Sequence, residues 1–315
     1  MWIAHDFRAA RRGAPVALAI GNFDGVHRGH RHLLDRVKAA ARAFGGESVA
    51  LTFDPHPTRV LAPDRASPLV VGLDRKLELL AATGVDAAVV QRFDLSFASQ
   101  SPQEFVEQVV LGLRAREVFV GEDFHFGRNR EGNGATLVAL GPSLGFEAHV
   151  VAPLEEGSVP VSSSRVRRAL AEGDLPTARA LLGRDYDLDG LVITGHRRGR
   201  LLGFPTANLA TECEALPRDG VYAVRVSVLG ADGPQGHPAV MNLGSRPTFR
   251  AGRSLEAHLL DADVDLYGRT LRVTFVARLR DERRFDGVDA LKAQIVADVA
   301  AARAALGTRE GGTTT

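Results

Sequence analysis

The segment GNFDGVHRGH (21–30) sets His27 and His30 three residues apart with Gly29 between them, after an apolar run and before a helical-looking one. A helix N-terminus offers free backbone N–H groups and the positive end of the helix dipole, so the position favours an anion. Two imidazoles at this spacing can share a face and donate hydrogen bonds to a phosphate, while Gly29 lets that phosphate approach the backbone. Attack at phosphorus spreads negative charge onto non-bridging oxygens, and fixed donors stabilise it more in the transition state than in the ground state. Gly21 and Gly25 suit a tight strand-to-helix turn, with Asn22 and Asp24 available as polar ligands or caps. Taken alone, HxxH is also the spacing of a metal pair or of ordinary polar surface, and zinc would need a third ligand.

Three further clusters lie in the same half. VSSSRVRRAL (161–170) places Ser162, Ser163 and Ser164 before a helix bearing Arg165, Arg167 and Arg168. Hydroxyls, N-terminal amides and a guanidinium fork suit the β- and γ-phosphates of ATP, although a serine run alone is most simply a helix cap. GEDFHFGRNREGNG (121–134) starts at a strand end and is rich in glycine and aromatics, as a loop that stacks a flat ring would be. TFDPHP (52–57), by itself a turn, ends another strand, where open α/β sheets place their ligands. All four fall at strand ends or helix starts, where chance would scatter them.

In the other half, GLVITGHRRGRLLGFPTANL (190–209) starts as a strand, loops through Gly195 and Gly199, and returns into GFPTAN. Thr206 and Asn208, two apart in extended chain, point the same way. A hydroxyl and an amide carbonyl are weak, neutral, hard ligands, suited to a magnesium ion already carried by ATP. Gly195, Arg197, Arg198, Gly199 and Arg200 form a basic loop able to cover phosphates. In SLEAHLLD (254–261), Leu255, Ala257 and Leu259 share one face, which leaves Glu256 and His258 on the other. Glu256 is then placed to act as a general base towards a substrate hydroxyl. Separately, a strand glutamate is usually solvated surface and PTAN a turn.

Two architectures must position these residues. VALAI (16–20), SVALTF (48–53), AAVVQ (87–91), REVFVG (116–121) and EAHVVA (147–152) read as strands, alternating with helices over 30–44, 74–84 and 102–113. That is the pattern of a doubly wound parallel sheet. Helices over 163–173 and 175–183 follow, the second stopping at Gly183. Beyond about 184 the period becomes two: Tyr222, Val224, Val226 and Val228 share a face, as do Leu271, Val273, Phe275, Ala277 and Leu279. Such strands between Gly, Pro and Asp turns predict a small antiparallel β-barrel. A terminal helix over 287–306 aligns Val288, Leu291, Ile295, Val299 and Ala302 as a buried stripe.

Composition narrows the function classes. The chain has 315 residues, 45% of them hydrophobic and 24% charged, enough for two globular cores. Thirty-nine Lys and Arg against 38 Asp and Glu leave a formal charge of +1, which argues against a nucleic-acid groove. A single cysteine, Cys213, excludes an internal disulfide. With neither a signal-peptide core nor a membrane-length apolar run, the expectation is a cytoplasmic protein with no membrane partner. No motif specifies an oligomeric state.

GNFDGVHRGH resembles the HxGH signature of the nucleotidyltransferase superfamily, and VSSSRVRR its serine-and-arginine phosphate motif. With TFDPHP and VGEDFHFGRNREGN beside them, this half resembles the FMN adenylyltransferase module of prokaryotic bifunctional FAD synthetases. From about 184 to 305, GRLLGFPTANL, GVYAVRV, VMNLGSRPTF, LEAHLLDADVDLYG, RDERRFDG and QIVAD resemble riboflavin kinase, in that family's order. The resemblance implies a Rossmann-like adenylyltransferase domain over 1–183 and a kinase barrel over 184–306, and the composition of the remaining 307–315 is that of a disordered tail. It implies phosphorylation of riboflavin to FMN with ATP and Mg2+, then attack of FMN on the α-phosphate of ATP to give FAD and pyrophosphate. It carries catalytic roles onto His27, His30, Arg165 and Glu256, and magnesium coordination onto Thr206 and Asn208. Substrate contacts fall on Gly21, Asn22, Phe23, Asp24, Gly29, Asp54, Asp123, Phe124, Asn133, Ser162, Ser163 and Ser164, and in the kinase half on Gly195, Arg200, Gly203, Phe204, Asn242 and Arg246. The chain departs from the pattern at Val161, where Ile is usual, at Asn133, where Asp is equally usual, and at Ala262, where an aromatic is more usual. Two other readings stand beside it: a kinase whose N-terminal half is silent or differently specific, for instance an adenylyltransferase for another mononucleotide, and a flavin or nucleotide sensor without catalysis. Loss of Glu256 or of a histidine of HRGH would mark the sensor, and none is lost.

Overall fold

VALAI is apolar at every position because its strand is buried on both faces, as a central strand of a parallel sheet must be. The computed structural model describes residues 1–10, 13–194, 203–230, 233–245, 253–262 and 264–307. They belong to two compact units, Met1–Pro68 with Leu73–Ser163, and Leu69–Gly72 with Ser164–Thr315. The expected loop residues Gly195, Arg197, Arg198, Gly199 and Arg200, the candidate Arg246, and residues 308–315 of the expected tail lie outside the described residues.

In the first unit, β1 (Trp2–Ala4), β2 (Val16–Ile20), β3 (Glu47–Asp54), β4 (Ala87–Arg92), β5 (Ala115–Gly121) and β8 (Glu147–Val151) form one sheet in the order β1-β4-β3-β2-β5-β8. Every pairing in it is parallel. Between β5 and β8 a short antiparallel pair, β6 (His125–Phe126) and β7 (Gly132–Asn133), folds the aromatic loop back on itself. β1 was not foreseen, since three residues carry no period; it docks with Trp2 opposite Ala87. The chain runs from β2 through β3 to β4 in one direction and then returns to place β5 on the other side of β2. The carboxyl ends of β2 and β5 therefore flank the topological switch point, where α/β sheets bind ligands.

Helices α1 (Arg28–Phe44), α2 (Pro57–Leu61), α3 (Leu73–Ala81), α4 (Leu95–Ala98), α5 (Pro102–Phe105) and α6 (Gly134–Leu144) complete the first unit. The expected helix over 102–113 opens with a Ser101/Glu104 capping box and widens after α5 into a π-turn over Val106–Val110, still burying Phe105, Val109 and Leu113. α6 is an addition: its glycines and Pro142 hide it from sequence, and it is started by an Asn133 cap instead.

The second unit begins with α7 (Ser163–Glu172), apart from its first residue, and α8 (Leu175–Leu182), which Gly183 ends at φ 70°. β9 (Asp187–Ile193), β10 (Ala207–Ala210), β11 (Gly220–Val228), β12 (His237–Ser245), β13 (Arg253–Leu259) and β14 (Thr270–Arg280) close into a barrel in the order β10-β13-β12-β11-β14-β9. Tyr222, Val224, Val226 and Val228 fill the inner face as the alternation predicts. On β14 the alternation changes face. Val224 faces Phe275 but Ala223 faces Ala277, so Val276 is an extra, bulged residue, and beyond it Ala277 and Leu279 join the cluster outside the barrel. The terminal helix, Val288–Gly307, covers that outer cluster through Ala302 and Leu306. Val288 is 55% exposed and does not belong to the stripe, whereas Asp298 does. Asp298 is held by both forks of Arg280 at 2.8 and 2.7 Å and by Gln294 at 2.7 Å.

Candidate active sites

The loop that carries β2 into α1 is buried and irregular. Phe23, Asp24, Val26 and His27 are each at most 5% exposed, and Phe23, Gly25 and Val26 take φ values of 48°, 82° and 40°. A β-branched residue with positive φ is an outlier held only by its surroundings, and such outliers cluster at functional sites. Here the Thr52 hydroxyl on β3 donates to the Asn22 carbonyl at 3.1 Å, and the Ser163 hydroxyl donates to the Asp24 carbonyl at 2.9 Å. Ser163 thus braces the HRGH loop.

His27 caps α1: its Nδ1 accepts from the His30 amide at 3.2 Å, which leaves its proton on Nε2. The two imidazoles stack with centroids 3.6 Å apart and planes 13° apart, and the edge of His30 meets Phe23 at 5.3 Å. The expected juxtaposition of the pair is present. A Cβ on Gly29 would lie 3.2 Å from the His27 ring and from the Val161 carbonyl, so the missing side chain makes room for that ring. The His30 Nδ1 is buried without a hydrogen-bond partner among the described residues. Burial, then the neighbouring His27, then Lys76 hold His30 well below the ordinary histidine range, which favours the neutral imidazole.

Asp54, exposed, ends β3 as expected. Asp123 and Phe124 follow β5, and Phe124 stacks on Phe126 at 5.5 Å. Phe126 continues through Phe105, Phe97 and Phe93 to Phe53 of β3 in ring contacts of 4.9 to 6.0 Å, an aromatic wall between two strand ends. The Asn133 Oδ1 accepts from the Thr136 amide at 3.0 Å, so this carbonyl is committed to capping α6. Ser162 and Arg165 are half-buried and Ser164 is exposed. The sequence reading passed over one residue, Lys76 of α3, which is 4% exposed with Asp24 and Asp54 as its charged neighbours.

The second site is built on regular strands. Glu256 of β13 lies opposite Asn208 of β10 on one side and Asn242 of β12 on the other, so three polar side chains form a row on the outer face of the barrel. Ser254, two residues earlier on that face, donates its hydroxyl to Glu256 Oε1 at 2.9 Å. His258, two residues later, donates from Nδ1 to the Pro205 carbonyl at 2.8 Å and meets the Phe204 ring edge-on at 5.6 Å. These contacts hold the GFPTAN turn, entered at Gly203 with φ 87°, against β13. Thr206 lines a cavity of about 550 Å³ together with Ala257, Leu259, Ala262, Asp265 and Tyr267. Ala262, where the sequence departs from the family pattern, is part of its wall. Among the described residues no group of three or more His, Cys, Asp or Glu is placed to hold a metal ion. The hydroxyl of Thr206 and the amide of Asn208 are oxygen ligands of the kind that share a hard cation with phosphates. No helix among the described residues is long and apolar enough to cross a membrane.

The FAD synthetase family profile matches residues 10–165, and the riboflavin kinase profile matches residues 182–306. The chain is 42% identical over 91% of its length to the bifunctional riboflavin kinase/FMN adenylyltransferase of Escherichia coli (strain K12), covering 91% of that protein. It is 41% identical to the Pseudomonas fluorescens protein of the same name, over 95% of each. A crystal structure from Streptococcus pneumoniae, described as a macrolide-efflux protein, superposes with a TM-score of 0.83 and 29% identity over 96% of this chain and 98% of that one. Two family profiles in this order, on relatives matched nearly end to end, leave one conclusion: the chain belongs to the bifunctional riboflavin kinase/FMN adenylyltransferase family.

Proposed function

We propose an assignment of residues to the two reactions of this family. The chain is a bifunctional transferase that phosphorylates riboflavin to FMN with ATP and adenylylates FMN to FAD with release of pyrophosphate. Residues 184–306 are assigned to the kinase and 1–183 to the adenylyltransferase.

In the kinase site Glu256 accepts the proton of the ribityl 5′-hydroxyl as that oxygen attacks the γ-phosphorus of ATP, whose bond to the β,γ-bridging oxygen breaks to release ADP. Ser254 fixes one carboxylate oxygen of Glu256, and His258 fixes the turn that presents Thr206. Thr206 and Asn208 are the residues to hold Mg2+, which when bound neutralises charge on the transferred phosphoryl group. Gly203, Phe204 and Asn242 take part in substrate binding, as do Gly195, Arg200 and Arg246. The row Asn208–Glu256–Asn242 carries this assignment, because strand register brings the base beside a cation ligand.

In the adenylyl-transfer site the FMN phosphate attacks the α-phosphorus of ATP. No side chain need form a bond, so catalysis lies in positioning and charge stabilisation. His27 and His30 donate to the phosphoryl oxygens, and Ser162, Ser163, Ser164 and Arg165 take the departing pyrophosphate. The aromatic wall at Phe124 suits the flat flavin ring, with Asp54, Asp123 and Asn133 at its polar edge; Gly21, Asn22, Phe23, Asp24 and Gly29 shape the loop. The test is incubation of the purified protein with riboflavin, ATP and Mg2+, then with FMN and ATP, separating flavins by chromatography. FMN and FAD are expected in the first and FAD in the second; absence of both products would overturn the assignment.

A further inference from the structure

The stripe that α3 turns towards the interior runs through Leu73, Lys76, Leu77 and Leu80, the three-and-four spacing of a core-facing helix. Lys76 therefore stands where the pattern calls for an apolar side chain. A lysine stem buries readily, but its ammonium normally reaches water or a bonded anion. At 4% exposure Lys76 has little water, and it makes no hydrogen bond or ion pair with any described residue. Enclosing a lysine this far without a bonded anion is costly, and folded chains accept it mainly where a ligand completes the site.

What surrounds it identifies the ligand. Asp24 sits in the buried loop after β2 and Asp54 ends β3, and His30, whose Nδ1 has no hydrogen-bond partner among the described residues, lies close enough to feel the charge of Lys76. Burial pushes the Lys76 pKa down, and the charges of Asp24 and Asp54 pull it back up. Its own charge in turn helps keep His30 neutral. A cation near carboxylates that do not bond to it, beside a histidine ring nitrogen with no partner among the described residues, is arranged to receive an anion.

We propose that Lys76 is a phosphate ligand of the adenylyl-transfer site, donating from its ammonium to a phosphoryl oxygen of FMN or of the ATP α-phosphate. This rests on the assignment of HRGH to adenylyl transfer. The alternative is that Lys76 is only a structural counter-charge for the two aspartates.

The full chain with Lys76→Met, which keeps the stem and drops the charge, separates the two. FAD formation from supplied FMN and ATP should fall about 100-fold in kcat/KM. Riboflavin phosphorylation in the same sample should stay within about twofold, and the melting temperature should not fall, because an apolar residue in place of a buried charge is neutral or stabilising. Lys76→Arg should recover about tenfold of the loss. A raised KM for FMN assigns the contact to the flavin phosphate, and a raised KM for ATP assigns it to the nucleotide; either supports the proposal. FAD formation by Lys76→Met within about threefold of the parent overturns it, as does a loss that Lys76→Arg leaves untouched while melting falls. If Lys76→Met does not fold, Lys76→Arg decides: activity within about tenfold supports the proposal, and a larger loss in a folded protein overturns it. Should the parent chain make no FAD, the site assignment itself has failed. Should the parent make FAD, His30→Ala lose it and Lys76→Met retain it, only the Lys76 proposal has failed.

Discussion

Around His27 and His30 the backbone departs from regular structure, whereas around Glu256 it keeps to it. The first site depends on left-handed conformations at Phe23, Gly25 and Val26, a histidine serving as helix cap, and loop contacts from Thr52 and Ser163. The second uses antiparallel register: Asn208, Glu256 and Asn242 are neighbours because three strands pair. A site made by a strained loop has its precision spread over many supports, while a site made by ladder pairing inherits it from the barrel. Small changes of shape should therefore harm the first site, and changes of chemistry the second.

The largest expected effect is at Glu256. Glu256→Ala should reduce riboflavin phosphorylation by about 10³-fold and leave conversion of supplied FMN to FAD intact, read by flavin chromatography. His30→Ala should do the reverse, lowering FAD formation by about 10²-fold while FMN still accumulates. If either substitution lowers both products equally, the two sites are not independent and the comparison breaks.

A change of shape sharpens it. Asp298→Ala removes the partner of Arg280 beneath the terminal helix and should cost about 2 kcal/mol in urea unfolding of the kinase unit. Gly29→Ala adds one carbon against the His27 ring and the Val161 carbonyl, and should lower FAD formation about tenfold with riboflavin phosphorylation unchanged. No comparable single methyl is expected to matter on the outer row of the barrel.

The smallest effect concerns acid. The folded His30 resists a proton that the unfolded chain accepts near the ordinary histidine pKa of about 6.5. The unfolded state then binds more protons, so stability of the first unit falls as pH drops below about 6.5. Melting followed from pH 7.5 to 5.5 should show this fall, and His30→Ala should reduce it.

Much of this was legible in the chain. Apolar runs at VALAI and SVALTF gave the parallel strands, and the switch from period 3.6 to period 2 marked the barrel. The candidate residues of both sites were visible as motifs because reactions at phosphate draw on histidine, serine, arginine and glutamate. Less was legible where local signal is weak or reversed. β1 is three residues long, α6 carries glycine and proline, and the bulge at Val276 moves Ala277 and Leu279 to the other face without altering the alternation of residue types. Lys76 was present on the 73, 76, 77, 80 stripe, but a lysine on a helix is read as surface until burial is known.

Sequence by itself determined the two architectures, the order of the two modules and the candidate groups proposed for each reaction, because periodicity and side-chain type are local properties. Only the tertiary structure decided that the imidazoles stack, that Ser163 braces the Asp24 loop, that Asn208 and Asn242 flank Glu256, and that Lys76 is buried among charges. These contacts join residues distant along the chain. Their geometry is fixed by strand pairing and by which side chains lose water on folding, and neither quantity is written in any short stretch of the chain.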